Sequence, residues 1–496
     1  MSDLPYSRLI SPRRARNSTM DDRSMAEEAI SDRGRILFSG PFRRLQGKAQ
    51  VFPLEPNAAV RTRLTHSLEV AHHGRAIARR IVDSLGDAAE ALGLDNSRAV
   101  AFVELAETAC LMHDLGNPPF GHFGEAAIQG WFKQHGLTAA RTAVSLPERT
   151  EDIGAPGAQA LAAFAVGEFR DFLDFDGNPQ GFRIVTKLQW NLDHNGLNLT
   201  YTQLAAYLKY LYPPGSTGED LQFGKKAGYF HTEAALMSDL RKELGLPEAA
   251  RHPLAYIMEA ADDIAYCLSD IEDGIEKGIL GQEEALRRLN EAWDSLERPP
   301  GSTNLIEHYA DGKSDFFLLK VKLTRHLVES AAAEYTKHHA KVLEGSAGSL
   351  LDSDDVPSDE VLALKALKRF ARKHLFRNYD AESVELAGYA TITGLLERYR
   401  PLLTCTSEDM ERVEAFIEKG KKLGDGKELL VRLYNRLPKK YRAAYWHARQ
   451  NVAAKGAGAG LAEWHLRAHL IVDYVAGMTD EFALQEYQML SGIKVA

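Results

Sequence analysis

Cysteine is nearly missing from this chain of 496 residues, and its scarcity removes two kinds of function at once. The three present, Cys110, Cys267 and Cys405, include no close pair, so neighbours in sequence build neither a zinc ribbon nor a redox dithiol. They are expected to be small, reduced core residues. Long apolar runs are lacking as well. The best candidate, 99–112, is broken by Glu104 and Glu107 and falls short of the roughly 20 clean residues a membrane span needs. Between Met1 and Met20 there are Arg8, Arg13, Arg14 and Arg16 but no apolar stretch of the kind a secretory signal requires, so the chain reads as cytoplasmic and free of membrane. A net charge of -9 at pH 7 does not suit a protein that coats nucleic acid, because broad phosphate binding wants a basic surface. The exception is local: Arg13, Arg14, Arg16, Arg43, Arg44, Arg61 and Arg63 concentrate positive charge near the start. Alternating strand patterns are scarce too.

What is present is helical. Apolar residues make up 45% of the chain, ample for one large helical body or two fused ones. Leu64, Leu68, Ala71, Ile77 and Ile81 recur at helical spacing, and similar patterns cover 100–111 and 254–271. The expected fold is therefore all-α, with at most a short β-hairpin in 182–199, where Asn195-Gly196 offers a turn. Segments 137–158, 212–218, 298–303, 345–358 and 453–460 are rich in Gly, Pro, Ser or Asp and read as surface loops. No internal repeat is visible. The expected organisation is a basic N-terminal arm over 1–34, a catalytic body over 35–279, and a helical region over 280–496 that completes the pocket or builds an oligomer interface.

His113 and Asp114 stand side by side in Leu111-Met112-His113-Asp114-Leu115-Gly116, with a lone His66 well upstream. Imidazole nitrogen beside carboxylate oxygen suits a borderline divalent ion, and adjacent residues can both reach it where a helix ends. Gly116 is expected to supply that ending. A fourth ligand comes from Met258-Glu259-Ala260-Ala261-Asp262-Asp263, where acids interrupt an apolar helical pattern; a buried carboxylate is costly unless paired or metal-bound. Asp262 is preferred over Asp263 because Tyr266 and Asp270 follow it at four and eight residues on one helix face. Two neutral imidazoles and two carboxylates leave coordination positions open for water and a phosphate oxygen. Mn²⁺ or Mg²⁺ fits an oxygen-rich substrate, while the histidines also admit Fe²⁺, Co²⁺, Ni²⁺ or Zn²⁺.

A distant His, a His-Asp doublet and a far Asp resemble the HD superfamily of metal-dependent phosphohydrolases. The longer string His-Asp-Leu-Gly-Asn-Pro-Pro-Phe-Gly-His-Phe-Gly-Glu, residues 113–125, resembles the deoxyguanosine triphosphate triphosphohydrolases in particular. That resemblance implies an HD-domain helical bundle that cleaves dGTP at the α-phosphorus to deoxyguanosine and triphosphate. His122 and Glu125, three residues apart on a helix beginning near Phe120, resemble the catalytic pair, with His122 in proton transfer and Glu125 orienting its imidazole. Arg63, one turn before His66, matches the phosphate-binding arginine, and Lys187 is a second phosphate candidate. Gln50 and Asp270 match positions that contact the 3′-hydroxyl, Tyr266 would pack under the sugar and exclude a 2′-hydroxyl, and Phe376 and Glu385 match the base side. The resemblance also implies a homo-oligomer, a hexamer among the options, and single-stranded DNA as a further partner. The alternatives are a broad-specificity dNTP triphosphohydrolase, an HD enzyme acting on cyclic or alarmone nucleotides, or a DNA-binding regulator with a vestigial metal site.

Overall fold

The computed structural model describes residues 5–20, 22–147, 154–297, 304–310, 312, 315–352, 358–376, 378–452 and 457–494. Among them there are helices and no strand; pairing is confined to isolated bridges, Arg14 with Thr200, Ala49 with Thr62, and Tyr212 with Ala227. The expected hairpin is absent. Residues Gly177–Arg183 form a helix that runs into a π-helical turn, Ile184–Leu188, and Asn195-Gly196 turns without strands on either side. Asp176 decides this locally, since its side chain accepts the Asn178 amide and caps that helix. The loop expected over 137–158 also begins as helix, Leu137–Ala143. Segment 298–303 lies outside the described residues, as do 148–153, 353–357 and 453–456.

The chain forms two compact units that interleave in sequence: Met1–Asp114 with Leu199–Leu211 and Ala235–Val384, and Leu115–Asn198 with Tyr212–Ala234 and Glu385–Ala496. This division differs from the expected cuts near 34 and 279. In the first unit, helices Arg63–Leu85, Asn96–Met112 and Pro253–Glu276 pack on one another. Gly74 permits the approach, because a Cβ there would lie 2.3 Å from the Cys110 sulfur. Cys110 and Cys267 are buried and all three thiols are free. The buried stripe of the Arg63–Leu85 helix runs through Arg63, His66, Ser67, Val70, Ala71, Ile77 and Ile81. Leu68, counted in the apolar pattern, faces outward instead, so this helix turns polar groups inward at the end where a site could form.

Arg14, read from sequence as part of a basic arm, is buried and paired with Glu28 and Asp32. The second unit is built round aromatic side chains. Phe132 stacks on Phe172 with centroids 4.4 Å apart, and Phe164, Phe169 and Trp464 close round them. No helix among the described residues is long and apolar enough to cross a membrane.

Candidate functional site

Thr62 starts the helix that carries the first histidine. Its hydroxyl accepts the Thr65 amide while the Thr65 hydroxyl accepts the Thr62 amide, a capping box that sets Arg63 in the first turn. The Ala49–Thr62 bridge, with the Arg63 amide on the Lys48 carbonyl at 2.9 Å, lays Gln50 alongside the same helix start. His113 is the C-cap of Asn96–Met112. Its Nδ1 donates to the Cys110 carbonyl at 2.7 Å, which also accepts the His113 amide at 3.4 Å, and this directs Nε2 the other way.

That Nε2 is buried without a hydrogen-bond partner, 3.5 Å from Asp114 Oδ2 and 3.5 Å from Asp262 Oδ1. His66 Nε2 lies 3.3 Å from Asp262 Oδ1. Ligand atoms of His66, His113 and Asp114 fall within 4.8 Å of one another. An imidazole anchored through its far nitrogen, with the near one bare among carboxylates, is how a protein presents a metal ligand. The donor set therefore fits a divalent ion. Burial pushes the Asp114 carboxyl up, but His113, Arg63 and His66 outweigh it and bring it to about 2. Against the same burial, His113 and His66 hold Asp262 below the usual carboxylate range. Both acids stay ionised at neutral pH. Arg63 Nη1 is 2.7 Å from Asp114 Oδ2, next to the cluster. Asp263 turns away to Lys368 at 3.1 Å.

Further along the Asp262 helix, the half-buried Tyr266 ring lies 6.2 Å from Phe376, tilted by 34°. Asp270 is fully buried and neither of its carboxylate oxygens has a hydrogen-bond partner. Burial, reinforced by Asp273 and Asp262, holds its carboxyl well above the ordinary range. Gln50 Oε1 is likewise buried and unpartnered. Each such group costs about 1–3 kcal/mol if left alone, so a hydroxyl or amide partner at these atoms would be stabilising. Arg61 is held by three acids, Glu69 at 2.9 Å, Asp273 at 2.6 Å and Glu272.

His122, Glu125, Lys187 and Glu385 belong to the second unit. His122 lies in the first turn of Gly121–Trp131, its side chain open to solvent, and its Nδ1 is 2.8 Å from Glu125 Oε2. The other oxygen of the buried Glu125 accepts the Gly177 amide at 2.8 Å, so the carboxylate cannot swing away from the imidazole. Phe120 enters this helix in the left-handed region, φ 61°, with its amide donated to Asp480 at 3.0 Å. Gly116 proves to serve packing rather than a left-handed helix stop: its φ is not positive, and a Cβ there would lie 2.0 Å from the Gly177 carbonyl oxygen. Lys187 sits half-buried in the π-helical turn, within electrostatic reach of Glu233, and Glu385 is half-buried in the Tyr379–Thr404 helix.

The HD domain family matches residues 63–172, and the phosphohydrolase-associated domain matches 425–489. Over 491 residues the chain is 40% identical to the deoxyguanosinetriphosphate triphosphohydrolase of Cronobacter sakazakii, covering 94% of each protein. The chain belongs to the deoxyguanosine triphosphate triphosphohydrolase family. HD domains bind divalent metals, and His66, His113 and Asp114 form a candidate metal-binding group within the matched segment.

Two features of this family member escaped the sequence. Lys209, beyond the end of helix Tyr201–Tyr207, places its ammonium 3.8 Å from Glu259. Burial lowers its pKa, but Glu259 and Asp262 more than offset that, so it remains a cation whose charge in turn helps hold Asp262 ionised. Its signal was Glu259: an acid one turn before Asp262 on a buried face demands a positive partner. In the second unit, Asp171 gathers three histidines. His231 Nδ1 is 2.7 Å from Oδ1, and His465 and His469 reach Oδ2 at 2.8 and 3.0 Å. His465 and His469, four residues apart on one helix face, were the available clue.

Proposed function

We propose that the chain hydrolyses dGTP to deoxyguanosine and intact triphosphate, in the cytoplasm, with Mn²⁺ or Mg²⁺ held by His66, His113, Asp114 and Asp262. The observation that carries this reading is the bare His113 Nε2 at 3.5 Å from two ionised carboxylates. A bound ion supplies Lewis acidity toward the α-phosphate and a lowered pKa for the attacking water. The chain's own groups do the rest. Arg63 and Lys209 take phosphate oxygens, as their positions beside Asp114 and Asp262 favour. Water oxygen bonds to the α-phosphorus as the bond from phosphorus to the 5′-oxygen breaks, and His122 moves the proton that leaves the water and is needed on the 5′-oxygen. Glu125, fixed by Gly177, keeps that imidazole oriented. Lys187 is the weaker phosphate candidate.

Asp270, whose carboxyl is held above the ordinary range by burial, and the carbonyl oxygen of Gln50 are buried polar groups that suit the 3′-hydroxyl. Tyr266 packs under the sugar, Phe376 against the purine, and Glu385 accepts purine N–H groups. The same reading carries a homo-oligomer, hexameric by family likeness, and contact with single-stranded DNA, to which the buried Arg14 does not contribute.

The test is product analysis with all four dNTPs in the presence of Mn²⁺ or Mg²⁺. Chromatography should show triphosphate and deoxyguanosine, with dGTP turned over fastest. Equal rates for the four would replace the guanine preference by broad dNTP specificity, and pyrophosphate or orthophosphate as first product would end the proposal.

A further inference from the structure

Arg251 is 2% exposed and acts in two directions at once. Its Nη1 donates to Glu259 Oε2 at 2.5 Å, its Nη2 donates to the backbone carbonyl of Lys209 at 2.6 Å, and its guanidinium lies 5.1 Å from the centre of the Tyr256 ring. The other oxygen of Glu259 stands 3.8 Å from the Lys209 ammonium, outside hydrogen-bond range. A carboxylate one turn from a metal ligand is thus set between two cations, close to one and held short of the other. Burial raises the cost of leaving Glu259 uncompensated; if Arg251 were gone, that carboxylate would turn to Lys209. A planar guanidinium can hold the acid and the Lys209 backbone together, which a lysine ammonium cannot do with the same fixed fork.

We propose that Arg251 is a positioning residue that neutralises Glu259 and pins the Lys209 backbone, so that the Lys209 ammonium is left for the triphosphate instead of tightening its 3.8 Å ion pair with Glu259 into a hydrogen bond. This rests on the reading that Lys209 meets phosphate. The chain's carboxylate at 259 is then a built-in competitor for the substrate's negative charge, and Arg251 is what disarms it.

The probe is inorganic tripolyphosphate, used as a competitive inhibitor of the full-length protein in excess metal, with KM, kcat, metal content and thermal midpoint measured beside it. Lys209→Met should weaken tripolyphosphate about tenfold, as loss of a charged hydrogen bond does, and Arg251→Met should do nearly the same with metal content unchanged. The double variant Arg251→Met/Glu259→Gln should return to within about twofold of the parent, because no carboxylate remains to capture Lys209. Adding Arg251→Met to Lys209→Met should change the inhibition constant no further. A merely structural arginine would lower the thermal midpoint and kcat without that rescue. Unchanged inhibition in Arg251→Met, or failure of Glu259→Gln to restore it, overturns the positioning role alone; unchanged inhibition in Lys209→Met overturns the phosphate reading beneath it as well. If Arg251→Met does not fold, Arg251→Lys decides in the same assay, since it keeps the charge without the fork: weaker tripolyphosphate binding is expected, and parental binding overturns the proposal.

Discussion

Two clusters of histidine and carboxylate are built from the same residue types, each able by composition to hold a metal ion, and are wired differently. In the first unit, His113 spends its Nδ1 on a backbone carbonyl, and its Nε2 is left bare at 3.5 Å from each of two acids. In the second, the two oxygens of Asp171 already accept four N–H donors: the ring nitrogens of His231, His465 and His469, and the His231 amide at 3.2 Å. A metal entering the second cluster would break three imidazole hydrogen bonds to gain its ligands, whereas at the first it meets a nitrogen with nothing to lose. Residue type therefore does not tell a metal centre from a hydrogen-bond hub. What tells them apart is whether the nitrogen that faces the acid is already engaged: His113 Nε2 is not, and the three ring nitrogens that face Asp171 are.

The largest effect should come from the first cluster. His113→Ala should remove the ion and lower turnover by about a thousandfold or more, since several kcal/mol of transition-state stabilisation leave with it. Glu125→Gln should keep the ion and still lose about a hundredfold in turnover, by uncoupling His122 from its orienting carboxylate. Metal analysis of both variants beside their rates checks the contrast; an active His113→Ala, or an inactive Glu125→Gln that has lost metal, breaks it.

Asp171→Asn should act on stability and leave the metal alone. Removing the buried charge on which three histidines converge should cost about 3 kcal/mol in denaturant unfolding, while the protein keeps one ion per chain. A drop in metal stoichiometry on this substitution would make the second cluster a metal site and erase the distinction.

The smallest effect is one of pH. Burial and the nearby Arg183 hold His469 well below its ordinary range, so it is neutral in the folded chain but protonates near pH 6.5 when unfolded. Its contribution is complete above that pH and is lost as pH falls below it. Asp171, held low by its histidines against burial, loses its contribution in the same direction at lower pH, while His231, raised by Asp171, contributes below pH 6.5 and fades as pH rises through its folded value. His469→Gln can still donate to Asp171 but cannot protonate, so its unfolding free energy should fall less steeply than the parent's as pH drops below 6.5. Identical slopes would remove His469 from the account.

What the sequence alone determined is whatever depends on neighbours within a turn or two of helix. The His113-Asp114 doublet at a helix end, the three-residue step from His122 to Glu125, and the four-residue steps from Asp262 through Tyr266 to Asp270 follow from helix period and capping, which are local. The all-α class followed in the same way from repeated apolar spacing. Charge partners are not local. Lys368 claims Asp263 and the Glu272 and Asp273 carboxylates claim Arg61 across more than a hundred residues, and Arg251 ties Glu259 to a Lys209 backbone 42 residues away. Leu68 faces outward and Ser67 inward because burial is settled by what packs against a helix, and only the tertiary structure says which side that is. The gathering of Asp171, His231, His465 and His469 is of the same kind: electrostatic pairing acts through space, and a pattern along the chain cannot record it.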